Sequence, residues 1–205
     1  MRIRPATFIL TMASLLALSG CLGKVKYPTY YALQLSPAVA AQVSPAATAS
    51  IAVREFRSPE YLRRGAIVYR PSAEEIGFYD YSRWATEPPR TITDAVVDHL
   101  RASGDFTRVK IYDGRSDVDY LLTGTLERLD EVDYGSGVKV EVALSAQITD
   151  SRSGKIVWEN SASETEIVDK RDVPNVVATM SRAMDRTITK LLGSLPGPTV
   201  AKGGL

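Results

Sequence analysis

The sequence predicts one α/β domain, a mixed or antiparallel sheet with two amphipathic helices packed on it. Three observations lead there. Val138, Val140, Val142, Leu144, Ala146 and Ile148 alternate with mostly polar residues, the period-2 pattern of a long strand with one buried face. Two segments, Thr91 to Ser103 and Val173 to Leu192, carry apolar residues at a 3.6 period. The order is strands, helix, strands, helix, and each helix has one apolar face to cover, which a single sheet can do. The 205 residues, 44% apolar, suffice for one compact core, and no internal repeat is visible.

In chain order, Tyr30 to Leu35 reads as a short strand. Ser36 to Ser50, uncharged and rich in Ala, Ser and Pro, reads as a loop. Ile51 to Phe56 and Ala66 to Arg70 are strands, the latter stopped by Pro71; Glu75 to Trp84 is another, closed by Pro88-Pro89. In the first helix Ile92, Ala95, Val96, His99 and Leu100 share a face, Thr91 is the expected N-cap with Asp94 three residues on, and Gly104 supplies a left-handed cap. Phe106 to Tyr112 is a strand ended by Asp113-Gly114. A meander follows: Tyr120 to Leu129, a turn at Tyr134 to Gly137, the alternating strand, a turn at Asp150 to Gly154, and a returning strand from Lys155 to Ile167 with Ile156, Trp158 and Ala162 on one face. Asp172 caps the last helix, Pro174 fits its first turn, and Val173, Val176, Val177, Met180, Met184, Ile188 and Leu191 form its apolar stripe. Gly193 ends it, and residues 194–205 read as a disordered tail.

The N-terminus is of a different kind. Arg2 and Arg4 precede an uncharged, mostly apolar run of 13 residues, Ala6 to Leu18. As a helix this run spans only ~20 Å, short of the ~30 Å bilayer core, so it suits a signal peptide rather than a membrane span. Leu18-Ser19-Gly20-Cys21 follows and resembles the lipobox of bacterial lipoproteins. The chain's one cysteine stands where that motif needs a thiol to carry a diacylglyceryl group. The expected organisation is a signal peptide over 1–20, a lipidated tether over 21–29, an α/β domain over 30–193 and a tail over 194–205. Covalent diacylglyceryl and N-acyl lipid on Cys21 would be a firm anchor, since stable attachment takes more than one chain. Leu22 follows the cysteine where Asp would signal retention, which by resemblance to lipoprotein sorting rules implies the outer membrane. The eight residues Leu22 to Thr29 reach at most ~28 Å, which holds the domain close to its membrane. Removal of the first 20 residues leaves 23 basic against 24 acidic side chains, a balance that points to neither nucleic acid nor a polybasic membrane patch.

A longer resemblance runs through the mature chain. Arg57-Ser58-Pro59-Glu60-Tyr61-Leu62 leads into Ile67-Val68-Tyr69-Arg70, then Glu75-Ile76-Gly77-Phe78-Tyr79-Asp80-Tyr81-Ser82-Arg83-Trp84-Ala85 and Pro88-Pro89. Together with Tyr30-Tyr31-Ala32-Leu33, Asp119-Tyr120-Leu121-Leu122-Thr123-Gly124 and the Gly154 to Trp158 hairpin, this resembles the ABC-type transport auxiliary lipoprotein family, which includes the paraquat-inducible auxiliary lipoprotein. The resemblance implies a three-layer α/β fold with a mixed, largely antiparallel sheet. It also implies work beside an MCE (mammalian cell entry) domain protein and its ABC transporter or permease.

Catalytic chemistry has little to stand on. His99 is the only histidine and falls on the buried-looking helix face, where a satisfied boundary histidine is the simpler reading. No histidine metal pair, nucleophile elbow, zinc-protease motif or P-loop is present. Ser136 to Lys139 matches S-x-x-K only by letter, in a hairpin. Asp113, Asp117 and Asp119 lack the spacing of an EF-hand and read as a solvated turn. The expectation is a protein that is not an enzyme and takes no cofactor.

The unusual segment is 57–90, with six arginines and six aromatics. Arginine stacks on aromatic faces, and Tyr, Trp and Arg are enriched in interface hot spots. Tyr61, Arg63, Arg64, Tyr79, Tyr81, Arg83 and Trp84 are therefore candidate partner-binding residues, toward an MCE subunit or a second copy of the chain as a homo-oligomer. The plainer alternative is that alternate side chains fill the core while the arginines are solvated. The resulting reading is an outer-membrane-anchored auxiliary lipoprotein, a periplasmic adaptor in intermembrane lipid trafficking. A lipid-binding carrier lined by the meander strands, or a lipoprotein regulator of peptidoglycan synthesis, stand as alternatives.

Overall fold

The computed structural model describes residues 26–38, 44, 47–115 and 117–195. The expected signal segment, Cys21, most of the expected tether and the residues beyond 195 lie outside the described residues. The elements are β1 (Thr29–Tyr31), β2 (Ser50–Val53), a 3₁₀ turn (Glu60–Arg64), β3 (Ala66–Arg70), β4 (Gly77–Trp84), α1 (Pro88–Ser103), β5 (Arg108–Ile111), β6 (Tyr120–Val132), β7 (Lys139–Asp150), β8 (Ile156–Ile167) and α2 (Val173–Leu192). As expected, they form one open mixed sheet with two helices packed on it, antiparallel along its longest pairings.

β6 is the spine. One of its edges pairs with β7 along its whole length, and β7 pairs with β8 in turn. Its other edge is shared: β2 runs parallel to its first residues and β3 parallel to its last. Between them Arg57 bridges to Thr125 through Arg57 N to Gly124 O at 3.0 Å and Leu126 N to Arg57 O at 2.8 Å. The outer strands continue from β3 to β4 to β1 on one branch and from β2 to β5 on the other. Gly124 is glycine for a steric reason: a Cβ there would stand 2.3 Å from the ring of Phe56, which is buried.

The alternation read from 138–149 holds, with Val140, Val142, Leu144, Ala146 and Ile148 buried. They share one core cluster with the α2 stripe, in which Val176, Met180, Met184, Ile188 and Leu191 have no solvent exposure. Asp172 caps α2 by accepting from the Asn175 amide at 3.0 Å. Its ion pair with Lys170 and this amide bond hold its carboxyl at about 2.

Four local expectations are corrected. The first helix starts at Pro88 rather than with a Thr91 cap, because two prolines fit a first turn whose N–H groups have no helical partner. The N-terminal strand ends at Tyr31 instead of Leu35. Beyond it the Gln34 amide donates to Ser181 Oγ at 3.0 Å and the Ser36 amide to the Asp185 carboxylate at 3.0 Å, so α2 side chains replace a strand partner. The second strand stops at Val53, before the chain turns to place Phe56 over Gly124. In β8 the register shifts between Ile148 and Thr149, where Trp158 and Ile156 are the respective partners, so Val157 is an extra residue. This bulge turns Ile156 outward, 52% exposed, while Trp158 stays buried.

Candidate functional site

The aromatic-arginine segment folds onto the far end of β6, where a buried acidic pair receives it. Asp130 and Glu131 are adjacent in the strand and neither has any solvent exposure. Adjacent strand residues point to opposite faces, so both faces of β6 are covered here. On one face, Arg70 Nε lies 2.5 Å from Asp130 Oδ2. Tyr61 OH donates to the same oxygen at 3.5 Å, and the Arg70 guanidinium lies 5.6 Å from the Tyr61 ring centroid. Arg128 approaches Asp130 and pairs with Glu141 on β7. On the other face, Tyr79 OH donates to Glu131 Oε2 at 2.7 Å, and the Tyr79 and Tyr69 rings meet with centroids 5.1 Å apart. Tyr69 in turn lies over Gly77, where a Cβ would stand 2.3 Å from the ring. Asp133, two residues beyond Glu131, pairs with Arg171.

Electrostatics follow burial. Desolvation raises the Asp130 carboxyl above the usual range, against the pull of Arg70. It raises Glu131 likewise; the Tyr79 hydrogen bond opposes this and the neighbouring Asp133 charge adds to it. Burial, then the bond to Glu131, pushes the Tyr79 phenol far up. Tyr61 is raised by burial and by Asp130. The two phenols therefore stay protonated donors. The group holds no activated nucleophile; it locks the 3₁₀ turn and the β3–β4 hairpin to the spine.

The seven candidate residues consequently divide. Tyr61 and Tyr79 are half-buried and aimed at the acidic pair. Trp84 is 7% exposed and belongs to the core, so it is not a surface residue. Arg63 and Arg64 project from the 3₁₀ turn, with Leu62 between them and the core and Gly65 (φ 71°) ending the turn. Arg63 pairs with Glu60, and Arg64 lies over the Phe78 ring at 5.1 Å. Arg83 donates to the Arg64 carbonyl at 3.4 Å, and Tyr81 is 43% exposed with the Lys26 ammonium 4.3 Å from its ring centroid. Sequence reading missed Asp130 and Glu131 because it ended the strand at Leu129. The available signal was the acidic run Glu127, Asp130, Glu131 and Asp133, the complement to an arginine-rich segment.

His99 is half-buried and its Nδ1 donates to the Ala95 carbonyl at 2.9 Å. Asp113 and Asp117 pair with Lys110, and Asp119 accepts from the Ser50 amide and hydroxyl. Among the described residues no group of three or more His, Cys, Asp or Glu could hold a metal ion. The outward face of the meander forms an open trough of about 540 Å³ lined by polar side chains including Arg57, Thr123, Thr125, Ser145, Gln147 and Ser161.

Comparison with solved structures places this fold beside protein XCC0632 of Xanthomonas campestris, assigned to the DUF330 family model. The two share 22% identity over 80% of this chain and 93% of that one, with a TM-score of 0.69. A second, uncharacterised protein matches at 14% identity over 83% of this chain and 99% of its own, with a TM-score of 0.64. At these identities the likeness is one of fold. No curated protein matches the chain. The family model described as the ABC-type transport auxiliary lipoprotein component matches residues 31–191, nearly the whole domain. The chain therefore belongs to the ABC-type transport auxiliary lipoprotein family, as a non-catalytic lipoprotein component of an ABC transport system.

Proposed function

We propose that this protein is an outer-membrane-anchored adaptor of an MCE-type ABC lipid transport system, held by lipid on Cys21 and docking a periplasmic MCE-domain protein through its α/β domain. The observation that carries the reading is the family match over residues 31–191, joined to a lipobox-like Leu18-Ser19-Gly20-Cys21 just before it. The docking surface is centred on Arg63 and Arg64, exposed cations on a turn that the buried Asp130 cluster makes rigid. Rigid placement limits the ordering cost of binding, which suits an adaptor. The carrier alternative finds less support. The apolar side of β7 is filled by α2, and the open side of the meander is lined by hydroxyl and amide groups, unlike the apolar lining a lipid chain requires.

The test is an affinity pull-down of the tagged, lipidated protein from crosslinked cells with mass spectrometry of the captured proteins. Recovery of an MCE-domain protein with its permease is the expected result. Recovery of peptidoglycan synthases, of further copies of the chain alone, or of bound lipid without protein would overturn it.

A further inference from the structure

The N-terminal edge of the sheet carries a surface that neither the core nor the acidic cluster accounts for. Tyr27 is 78% exposed, Tyr30 62% and Tyr81 43%. Tyr30 on β1 is the register neighbour of Arg83 on β4, and Lys26 lies over Tyr81. Among the described residues neither Lys26 nor Arg83 has a carboxylate at ion-pair distance, whereas most cations on the meander and α2 do, as with Arg128, Arg182, Arg186 and Lys190. The patch thus combines large amphipathic rings with unneutralised positive charge. Tyrosine is the residue type that settles at a headgroup boundary, with its ring toward the acyl region and its hydroxyl in water. Unpaired Lys and Arg are drawn to an anionic bilayer surface.

Chain length decides what covers this face. Six residue steps separate Cys21 from Tyr27, at most ~22 Å. A lipid on Cys21 therefore keeps Tyr27 within that reach of the membrane surface, and β1 follows two residues later. β8, the opposite edge, lies five strand spacings from β1, roughly 24 Å at about 4.8 Å each. We propose that the face formed by Lys26, Tyr27, Tyr30, Tyr81 and Arg83 lies on the anionic phospholipid surface that holds the Cys21 anchor. The contact sets the domain β1-edge down, with β8 and the polar trough toward the periplasm. This rests on the reading that Cys21 is lipidated, and it assigns Tyr81 and Arg83 to the membrane rather than to the protein partner.

The test uses the full-length lipidated protein in phosphatidylethanolamine–phosphatidylglycerol vesicles. Acylation blocks Cys21, so a nitroxide attaches only to an introduced cysteine, Tyr30→Cys within the patch or Glu159→Cys on β8. Flotation reports anchoring, and collision with oxygen and with a water-soluble nickel chelate reports depth. The expected result is a several-fold lower nickel accessibility and higher oxygen accessibility at position 30 than at 159, with the difference lost when Tyr27→Ser and Tyr81→Ser are added. Vesicle-bound protein with position 30 as water-exposed as position 159 overturns the membrane face but leaves the anchor intact. Low accessibility to both reagents at position 30 also overturns it, since a protein is then the occupant. Failure to float overturns the anchor and the inference with it.

Discussion

Arg70 and Asp130 form an ion pair, 2.5 Å between Nε and Oδ2, in which the carboxylate has no solvent exposure and the guanidinium side chain is only 12% exposed. The pair ties β3 to the end of β6 and lies beneath the turn that presents Arg63 and Arg64. Arg70→Ala leaves the carboxylate buried without its main partner, which costs about 3–5 kcal/mol where an ion pair is broken from one side. Arg70→Met with Asp130→Leu is expected to recover most of that loss, because two apolar side chains replace two buried charges. Chemical denaturation of the two single variants and the double variant measures the difference.

Glu131 makes stability depend on pH in an unusual direction. Its folded carboxyl is raised by burial, so the native state holds a proton that the unfolded chain releases first. Stability from this group is full below the unfolded value and falls as pH rises through the folded one. Glu131→Gln keeps an acceptor for the Tyr79 hydroxyl and carries no charge. Its stability relative to the parent is expected to increase from about pH 4.5 upward. Urea melts across the acidic range that showed no change in this difference would contradict the assignment. Tyr79→Phe removes the donor instead and is expected to destabilise by about 1–3 kcal/mol at neutral pH.

Gly124→Ala places a methyl group where the Phe56 ring already lies, at 2.3 Å. Forcing that ring aside in a packed core costs about 1–3 kcal/mol. Phe56→Leu in the same chain opens the space and is expected to make the alanine better tolerated. A thermal melt of the four-member set reads this as a coupling between the two positions.

Arg63→Glu with Arg64→Glu tests the docking surface. Both side chains are exposed and outside the buried cluster, so the double variant is expected to keep stability within ~0.5 kcal/mol per site. Capture of the MCE-domain protein should fall about tenfold or more, as reversal places like charges against the partner. A folded variant with undiminished capture would move the interface elsewhere on the domain.

Local patterns determined much of this protein. The period-2 alternation of 138–149 named the buried face of β7 residue by residue, and the 3.6-period stripe with Asp172 and Pro174 set the limits of α2, Val173–Leu192. Both patterns are legible because each element buries one face, so composition along the chain records which side meets the core. The aromatic-arginine segment drew attention for the right residue types, but its roles were not legible there. Tyr61, Tyr79 and Arg70 are assigned by Asp130 and Glu131, some 50 to 70 residues away, and no local period records a partner at that distance. The bulge at Val157 and the shared edge of β6 are likewise products of tertiary pairing. The sequence by itself determined most element types, the core faces of β7 and α2, and the lipobox-like cysteine. Only the tertiary structure decided which aromatic and charged side chains are spent inside the fold and which remain outside, because burial of a charge depends on a partner brought from another strand.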